Sequence, residues 1–518
     1  MTPDPHTEVD VAIVGFGPVG QALAALLGAA GHRVAAFERH DEIYRLPRAV
    51  HLDHEIMRVL QGLGVADAVA RDMLATSEYH WLGADGEPLM TLTAPVPAAS
   101  GWESDYLFFQ PALEAELDAC ARRHAGVSVE RSWAAETIAQ DAGGATLTLR
   151  RDDETRTVRA RWVVGADGAN SLIREALGVT RRDLGFRERW FVVDVEPADM
   201  AALDLPAGCQ WCDPRRPTTH VQSGLRHRRW EFMLLPGERP EDFDEDRAWE
   251  LLAPWFAPGD GRLTRHAVYE FRSMLADDMR DGRVLIVGDA AHLTPPFLGQ
   301  GLCAGLRDAA NLAWKLDLVL RGIAGDALLD TVEPERQPQT EWFIAFAVEL
   351  GKVLCERDPE KAAERDATLR AAGPPPVLAH PPLGAGGALH RDGDPLAGQL
   401  AVQGRLEREG REGLLDDIAG GGFALLARSG DPRAGLDQAE LGLLDALGAS
   451  IVSLVPGAPA GARDADGRMT AWLDEHGVHA VLVRPDFYVF GSAPAPTDIP
   501  ALVRDLRERL SVPTPTAP

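Results

Sequence analysis

The sequence predicts an α/β fold in three parts: a parallel sheet with glycine-rich strand ends, a β-rich insertion, and a smaller αβ unit at the C-terminal end. Three observations carry this reading. Glycine-punctuated strand ends recur in a fixed order, as Val11-Ala-Ile-Val-Gly15-Phe-Gly17-Pro18-Val19-Gly20, Val163-Val-Gly-Ala-Asp167-Gly168-Ala-Asn-Ser171 and Val284-Leu-Ile-Val-Gly288-Asp289. Between the second and third of them the pattern becomes mostly extended. A Pro-, Ala- and Gly-rich stretch over residues 371–387 then sets the tail apart.

In the first segment, residues 9–14 form an apolar strand that Gly15 breaks into a tight turn. Gly17 lets backbone approach a pyrophosphate, with Pro18 and Val19 leading into the helix over 21–30, and Gly20 lets that helix pack close to the strand. A second strand, 33–37, ends at Glu38 beside Arg39, about 20 residues on, where a carboxylate accepts ribose hydroxyls. An acid there disfavours a 2′-phosphate, so the site suits the adenosine of FAD or NAD rather than NADP. This is a Rossmann-type unit.

The remaining elements follow in order. Short strands at 78–82 and 89–92 precede a helix over 111–124. Strands 127–133, 145–150 and 155–164 lead to the Asp167-Gly168 turn and a short helix, 171–177. Extended segments 190–195, 218–222, 229–235 and 266–271 make up the insertion. Strand 283–287 returns the chain to the first domain, and helices 305–321 and 333–355 follow. The tail reads strand 423–428, helix 439–447, strand 450–455, helix 469–475, strands 480–483 and 487–490, and helix 499–510. The expected domains are 1–182 with 272–370, an inserted 183–271, a linker 371–387 and a tail 388–518, with part of 75–110 left open as joining the insertion.

At 518 residues the chain exceeds one hydrophobic core. A net charge of −27 argues against a nucleic-acid partner and against an anionic membrane surface. Five scattered cysteines form no disulfide framework, and Cys209-Gln-Trp-Cys212 has neither a second pair nor histidines to make a metal site. No leader-like segment precedes residue 9 and no apolar run reaches the ~18 residues of a membrane span, so a cytoplasmic protein is expected.

The three segments together resemble those of class A flavin-dependent aromatic hydroxylases. Leu46-Pro-Arg-Ala-Val-His-Leu-Asp-His-Glu, Arg229-Trp-Glu-Phe-Met-Leu-Leu-Pro-Gly-Glu and the run from Pro296 to Lys315 are most similar to the 3-(3-hydroxyphenyl)propionate hydroxylases, over roughly residues 8–355. The tail, notably Val481-Leu-Val-Arg-Pro-Asp-Phe-Tyr-Val-Phe-Gly, resembles the thioredoxin-like C-terminal domain of larger members, without a CxxC pair. The resemblance implies bound FAD, NADH or NADPH as a transient co-substrate, and O2. It also implies hydroxylation of a phenolic aromatic acid through a flavin C4a-hydroperoxide, in a small aromatic substrate's pocket beneath the inserted sheet.

The resemblance also distributes roles. Arg48 and Gln110 lie near the flavin. The Asp167-Gly168 turn, with Ser171 and Arg174, borders the cofactor groove. Asp289, after Gly288, binds ribityl or ribose hydroxyls. Pro295 and Pro296 flank the isoalloxazine, and Gly299, Gln300, Gly301 and Leu302 open a helix aimed at flavin N1 and O2, while His292 packs and caps. Trp211, His220, Trp230, Phe232 and Tyr269 are candidate pocket walls. No metal is expected and a homodimer is left open. Two other readings remain: a tailoring hydroxylase of a polycyclic polyketide or antibiotic, and a non-hydroxylating FAD oxidase or regulatory flavoprotein.

Overall fold

A computed structural model describes residues 8–377, 380–386 and 389–510. Its first sheet orders Arg280–Asp281, Val284–Ile286, Glu154–Gly165, Val9–Val14, Val34–Glu38 and Val127–Arg131, and the last five of these run parallel. Val14 pairs with Gly165, and Gly165 with Ile286. The three glycine turns therefore leave neighbouring strands at the same edge, where open α/β sheets bind ligands.

The second sheet has eight strands, His292–Leu293, Gly261–Ala276, Arg181–Pro197, His227–Met233, Thr218–Ser223, Gly208–Trp211, Glu78–Leu82 and Pro88–Thr93. The short strands from residues 78–93 thus belong to it. Successive side chains point to opposite faces. Phe191, Val193, Val195, Trp230 and Phe232 face outward into a cluster with Phe243, Leu252 and Phe256, beneath helix Glu245–Leu252. Trp190, Met233, Cys212 and Trp81 face inward and pack with Phe297 and Ile344 of the nucleotide-binding part.

Several elements depart from the sequence reading. The helix expected over 305–321 runs Gly301–Leu320, one turn earlier, because Gly301 and Gly305 weaken the local helix signal while tertiary packing requires a small residue there. Strand Ala134–Asp141 was not expected: its polar residues lack apolar alternation, and it pairs only with Gly144–Arg151. Helix Pro359–Ala372 was also missed, and its C-terminal end enters the stretch expected as a linker. The rest of that stretch is packed rather than free. Leu383 is buried and Gly384 lies so close to Pro334 that a Cβ would stand 2.0 Å from its carbonyl oxygen; residues 378, 379 and 387 lie outside the described residues.

The tail forms a mixed four-stranded sheet, Ser450–Ser453, Ala424–Ala427, Ala480–Val483 and Val489–Ala493, with helices Gln438–Ala446, Arg468–Glu475 and Ile499–Leu510. This is the thioredoxin-like arrangement expected. Buried charge fastens it to the main body. Arg484 donates to Glu335 at 2.9 and 2.7 Å and to Asp486 at 3.0 and 2.6 Å. Lys315 reaches Glu335 at 2.7 Å, and Asn311 donates to Asp486 at 2.8 Å. Tyr488 donates to Glu55 at 2.8 Å, and Arg58 grips Asp416 at 2.7 and 2.9 Å. No helix among the described residues is long and apolar enough to cross a membrane.

Burial alone would raise the pKa of Glu335, but Arg484 and Lys315 hold it well below the ordinary 4.5. A folded-state pKa that is depressed contributes stability present above the unfolded value and lost as pH falls below it. Glu335→Gln leaves two buried cations short of their partner, so it should destabilise the fold by about 3–5 kcal/mol near neutral pH. Urea denaturation of both proteins across pH checks this, and the gap between them should narrow as pH drops below 4.5.

Candidate active site

Close backbone contact brings the three turns together. Gly15 has φ +95°, and a Cβ there would lie 2.3 Å from the carbonyl oxygen of Ala166, in the second motif. Gly20 is pressed on Gly15, whose oxygen would be 2.1 Å from a Cβ. A Cβ on Gly305 would lie 2.7 Å from Val19 Cγ2 and 3.1 Å from the Gly288 Cα, so the third motif closes on the first. Gly17, in contrast, has only Arg48 Nη2 near it, at 3.8 Å from a Cβ. No side chain caps the helix Pro18–Ala29 that starts there, which leaves its first N–H groups for an anion.

Glu38 lies beside this turn. Its two carboxylate oxygens accept from Phe16 N–H at 2.9 Å and His40 N–H at 3.0 Å, which fixes its orientation at the end of the second strand. Arg39 next to it is exposed. A glycine cradle open at Gly17, an uncapped helix end and an oriented acid fit the pyrophosphate and ribose of FAD.

Asp308, on helix Gly301–Leu320, holds the third turn. It accepts from Gly288 N–H at 3.0 Å, His292 Nε2 at 2.7 Å and Arg336 Nε at 2.9 Å. Against the effect of burial, His292 and Arg336 keep its carboxyl below the usual range. His292 is accordingly a buried partner of Asp308. Asp289 is the opposite case: it lies deep among protein atoms yet stays open to solvent, with no hydrogen bond from the described residues. Burial raises its pKa, opposed by His292, Arg48 and Arg181. A solvent-accessible carboxylate at the floor of a groove is suited to accept cofactor hydroxyls.

Other expected site residues are committed to the protein itself. Asp167 accepts from Ser171 Oγ at 2.5 Å and Ile173 N–H at 3.2 Å, so its carboxylate braces the start of the short helix Leu172–Ala176, which Ser171 caps. Gly168, with φ +81°, has open space beside it. Gln110 is buried, takes the N–H groups of Arg48 and Ala49 at 3.0 and 2.7 Å, and so shapes the loop that presents Arg48. Gln300 turns its amide into a buried cluster, donating to Asp53 at 3.0 Å and accepting from Arg307 at 2.9 Å, which leaves only its backbone for the groove. Leu302 packs against the main core.

Gly299 has φ +66°, and His51 crowds it, with ring atoms 2.8 Å from a Cβ. The helix opening at Gly301 has no side-chain cap. Pro295 and Pro296 precede Phe297, whose ring packs edge-on against Trp190 at 5.7 Å between centroids. Arg174 was named only as a cation near the groove. In the structure it donates to Ala169 and Ala290 carbonyls at 3.3 and 3.2 Å, tying the second turn to the third.

The pocket walls need correction. Trp211, His220, Trp230 and Phe232 lie on the outward face of the second sheet, where the His220 ring lies tilted against Trp230 at 4.6 Å and Trp211 meets Trp255 at 4.9 Å. Only Tyr269 shares a face with Trp190, its cross-strand partner, toward the groove. The sequence expects Trp230 and Phe232 of Arg229-Trp-Glu-Phe-Met as pocket walls. Helix Glu245–Leu252, unseen in the sequence, covers the aromatic face, so the charged phase points inward. Cys209 and Cys212 also fall on opposite faces, both thiols free and buried, with burial pushing Cys212 up to about 12.

Comparison with known proteins agrees with this geometry. A family model described as an FAD binding domain matches residues 8–347, and one described as the HcaD C-terminal domain matches 398–509. The chain is 38% identical to a probable NADH-specific resorcinol 4-hydroxylase of Rhodococcus jostii (strain RHA1), over 98% of this chain and 96% of that protein. It is 35% identical to a 3-(3-hydroxy-phenyl)propionate/3-hydroxycinnamic acid hydroxylase of Mycolicibacterium smegmatis, over 93% and 90%. Aklavinone-11 hydroxylase, solved with FAD and aklavinone, superposes with a TM-score of 0.78 at 29% identity, covering 98% of this chain and 100% of that one.

Two neighbouring acids should behave differently. Asp289→Ala should weaken FAD binding to apoprotein by about 10–100-fold, the worth of one or two hydrogen bonds to a charged group, and leave apoprotein melting nearly unchanged. Asp167→Ala should instead lower the melting temperature through loss of its hydrogen bonds to Ser171 and Ile173 at the start of that helix. Fluorescence titration with FAD and thermal melts of each apoprotein separate the two.

Proposed function

The chain belongs to the FAD-binding class A aromatic hydroxylases, and we propose that within them it uses NADH and O2 to hydroxylate a small monocyclic phenol bearing a second substituent meta to its hydroxyl. The observation that carries this reading is near full-length likeness to the resorcinol 4-hydroxylase, which is stronger than the likeness to aklavinone-11 hydroxylase. Resorcinol and 3-(3-hydroxyphenyl)propionate are both phenols with a meta substituent. Such a ring is activated at carbons ortho and para to its hydroxyl, where an electrophilic oxygen adds.

Bound FAD, once reduced by the nicotinamide, supplies the activation of O2 that delivers one oxygen atom to the ring and the other to water. The protein's part is to hold, orient and keep dry. Glu38 and Asp289 would take ribose and ribityl hydroxyls, and the helix end at Pro18 would face the pyrophosphate. The uncapped N-terminus at Gly301 would place positive dipole beside negative charge on the reduced ring. Arg48 reaches toward Gly17 beside the first of these ends, on a loop fixed by Gln110. Trp190, Met233 and Phe297 form an apolar wall on the inward sheet face, which excludes water from the reacting edge.

Steady-state assays on purified holoprotein test the reading. NADH oxidation should be stimulated by resorcinol or 3-(3-hydroxyphenyl)propionate, with NADPH a poorer donor and hydroxylated product exceeding H2O2. Stimulation by polycyclic phenols alone would overturn it in favour of a tailoring enzyme.

A further inference from the structure

One largely buried histidine has no part in the assignments above. His51 starts strand His51–Asp53, which pairs with Asp105–Leu107 in a small third sheet that Leu74–Thr76 completes. Its Nε2 lies 2.7 Å from Asp105 Oδ1, and its Nδ1 lies 3.2 Å from the Gly299 carbonyl oxygen. Ionised carboxylate and carbonyl oxygens only accept, so each ring nitrogen must carry a proton to bond there. The geometry makes His51 an imidazolium.

Its surroundings keep that charge. Burial pulls the imidazole pKa down, but the Asp105 carboxylate, with the Cys303 sulfur, carries it well above the ordinary 6.5. The Cys303 thiol lies 3.8 Å from the His51 carbonyl oxygen and 4.0 Å from that of Gly299. Burial raises the thiol's pKa, with Asp53 reinforcing and His51 and Arg307 opposing, so the sulfur stays neutral and does not cancel the imidazolium. Asp105 sits on the Nε2 side, away from Gly299, and its side chain is 33% exposed against 15% for His51. Water screens the carboxylate more than the ring. The pair is a dipole whose positive end abuts Gly299.

Gly299 belongs to the turn that opens helix Gly301–Leu320. With φ +66° it would carry a Cβ 2.8 Å from His51 Cβ, Cγ and Nδ1, so the imidazole fills the place a side chain would take. A planar trans peptide aims its N–H opposite to its C=O. With the Gly299 carbonyl turned to His51, the Gln300 N–H is turned away from it. The N–H groups of Gln300, Gly301, Leu302 and Cys303 meet no backbone acceptor among the described residues, and no side chain caps them. His51 thus backs a row of free donors with a fixed cation.

We propose that His51, held between Asp105 and the Gly299 carbonyl, is a positioning residue that sets the redox poise of bound FAD by favouring the reduced ring over the oxidised one. This rests on the placement of the ring at the Gly301 helix end given above, and it is independent of which phenol is hydroxylated. Hydride transfer from NADH carries two electrons and one proton and leaves NAD+, so the reduced ring holds one more negative charge than the oxidised ring. The dipole of the helix answers part of that charge. The imidazolium behind Gly299 adds to it, and its hydrogen bond fixes the peptide whose N–H faces the other way.

The midpoint potential of the holoprotein is measured by reductive titration against a reference dye, with no phenol present, at about pH 5.5 and about pH 8.5. His51→Gln, checked for FAD content, should lower the reduced-to-oxidised binding ratio by about tenfold, a fall of about 30 mV for a two-electron couple. Asp105→Asn keeps the imidazole but removes the carboxylate that holds its second proton. That variant should match or exceed wild type at the acidic pH, where His51 is still charged. It should fall to the His51→Gln value at the alkaline pH, above the ordinary 6.5. Asp105, Cys303, Asp53 and, beyond Asp53, Arg307 are the titratable or charged groups around His51, and all but Asp105 remain in that variant. An unshifted potential in His51→Gln overturns the proposal, as does an Asp105→Asn loss that is equal at both pH values, which would mark a purely structural role. Gly301→Asp tests the placement itself. A Cβ there meets only Thr294, at 3.8 Å, and an acid in the first turn suits the helix, so the apoprotein should melt no lower. Its carboxylate should lower the potential or weaken FAD binding; if it does neither, the ring does not lie at this turn and the proposal falls with that placement.

Discussion

The architecture depends on side-chain-free contact between three backbone turns at adjacent strand ends. Gly15 against Ala166, Gly20 against Gly15, and Gly288 against Gly305 and Val19 are approaches that a methyl group would prevent. A substituent at any of them would push a strand end or a helix outward and widen the groove where the cofactor lies. Polar bonds then lock the contact, through Asp308 on Gly288 and His292 and through Arg174 between Ala169 and Ala290. The groove is thus set by packing and kept in register by hydrogen bonds.

The second sheet is coupled to that groove by an ion cluster rather than by apolar packing alone. Asp194 orients Arg229 and lies 3.6 Å from Arg265; Arg229 donates to the Pro47 and Arg48 carbonyls and Arg265 to that of Pro47. Buried guanidinium groups need this many acceptors to offset the loss of water. The arrangement makes the loop carrying Arg48 part of the sheet's inner surface. The inner face of the sheet and the Arg48 loop therefore share one boundary.

Much of this was readable from residue order. Gly15, Gly17, Gly20 and Glu38 announced the first turn because a dinucleotide site demands both backbone clearance and an acid at a set spacing. Strand 480–483 and helix 499–510 matched to the residue, since each is a clean apolar pattern. The inner and outer faces of the second sheet were not readable, because alternation gives two phases and only the covering helix Glu245–Leu252 decides between them. Asp167 and Gln300 illustrate a second limit: a motif fixes where a residue sits, while its hydrogen-bond partner comes from helix Leu172–Ala176 or from Arg307, positions that spacing does not reveal.

The tail's attachment has a bearing on inheritance. Glu335 belongs to the main body, Arg484 and Asp486 to the tail; Arg484 pairs with Glu335 across the boundary, and Asn311 of the main body donates to Asp486. From Tyr488 the bonds run through Gln339 and Arg336 to Asp308, which holds the Gly288 turn. Shuffling tails among homologues would therefore strand ions in the interior unless the matching partners travelled together. The two portions are obliged to co-vary, and a recombined gene that respects domain borders but splits these pairs would encode a misfit.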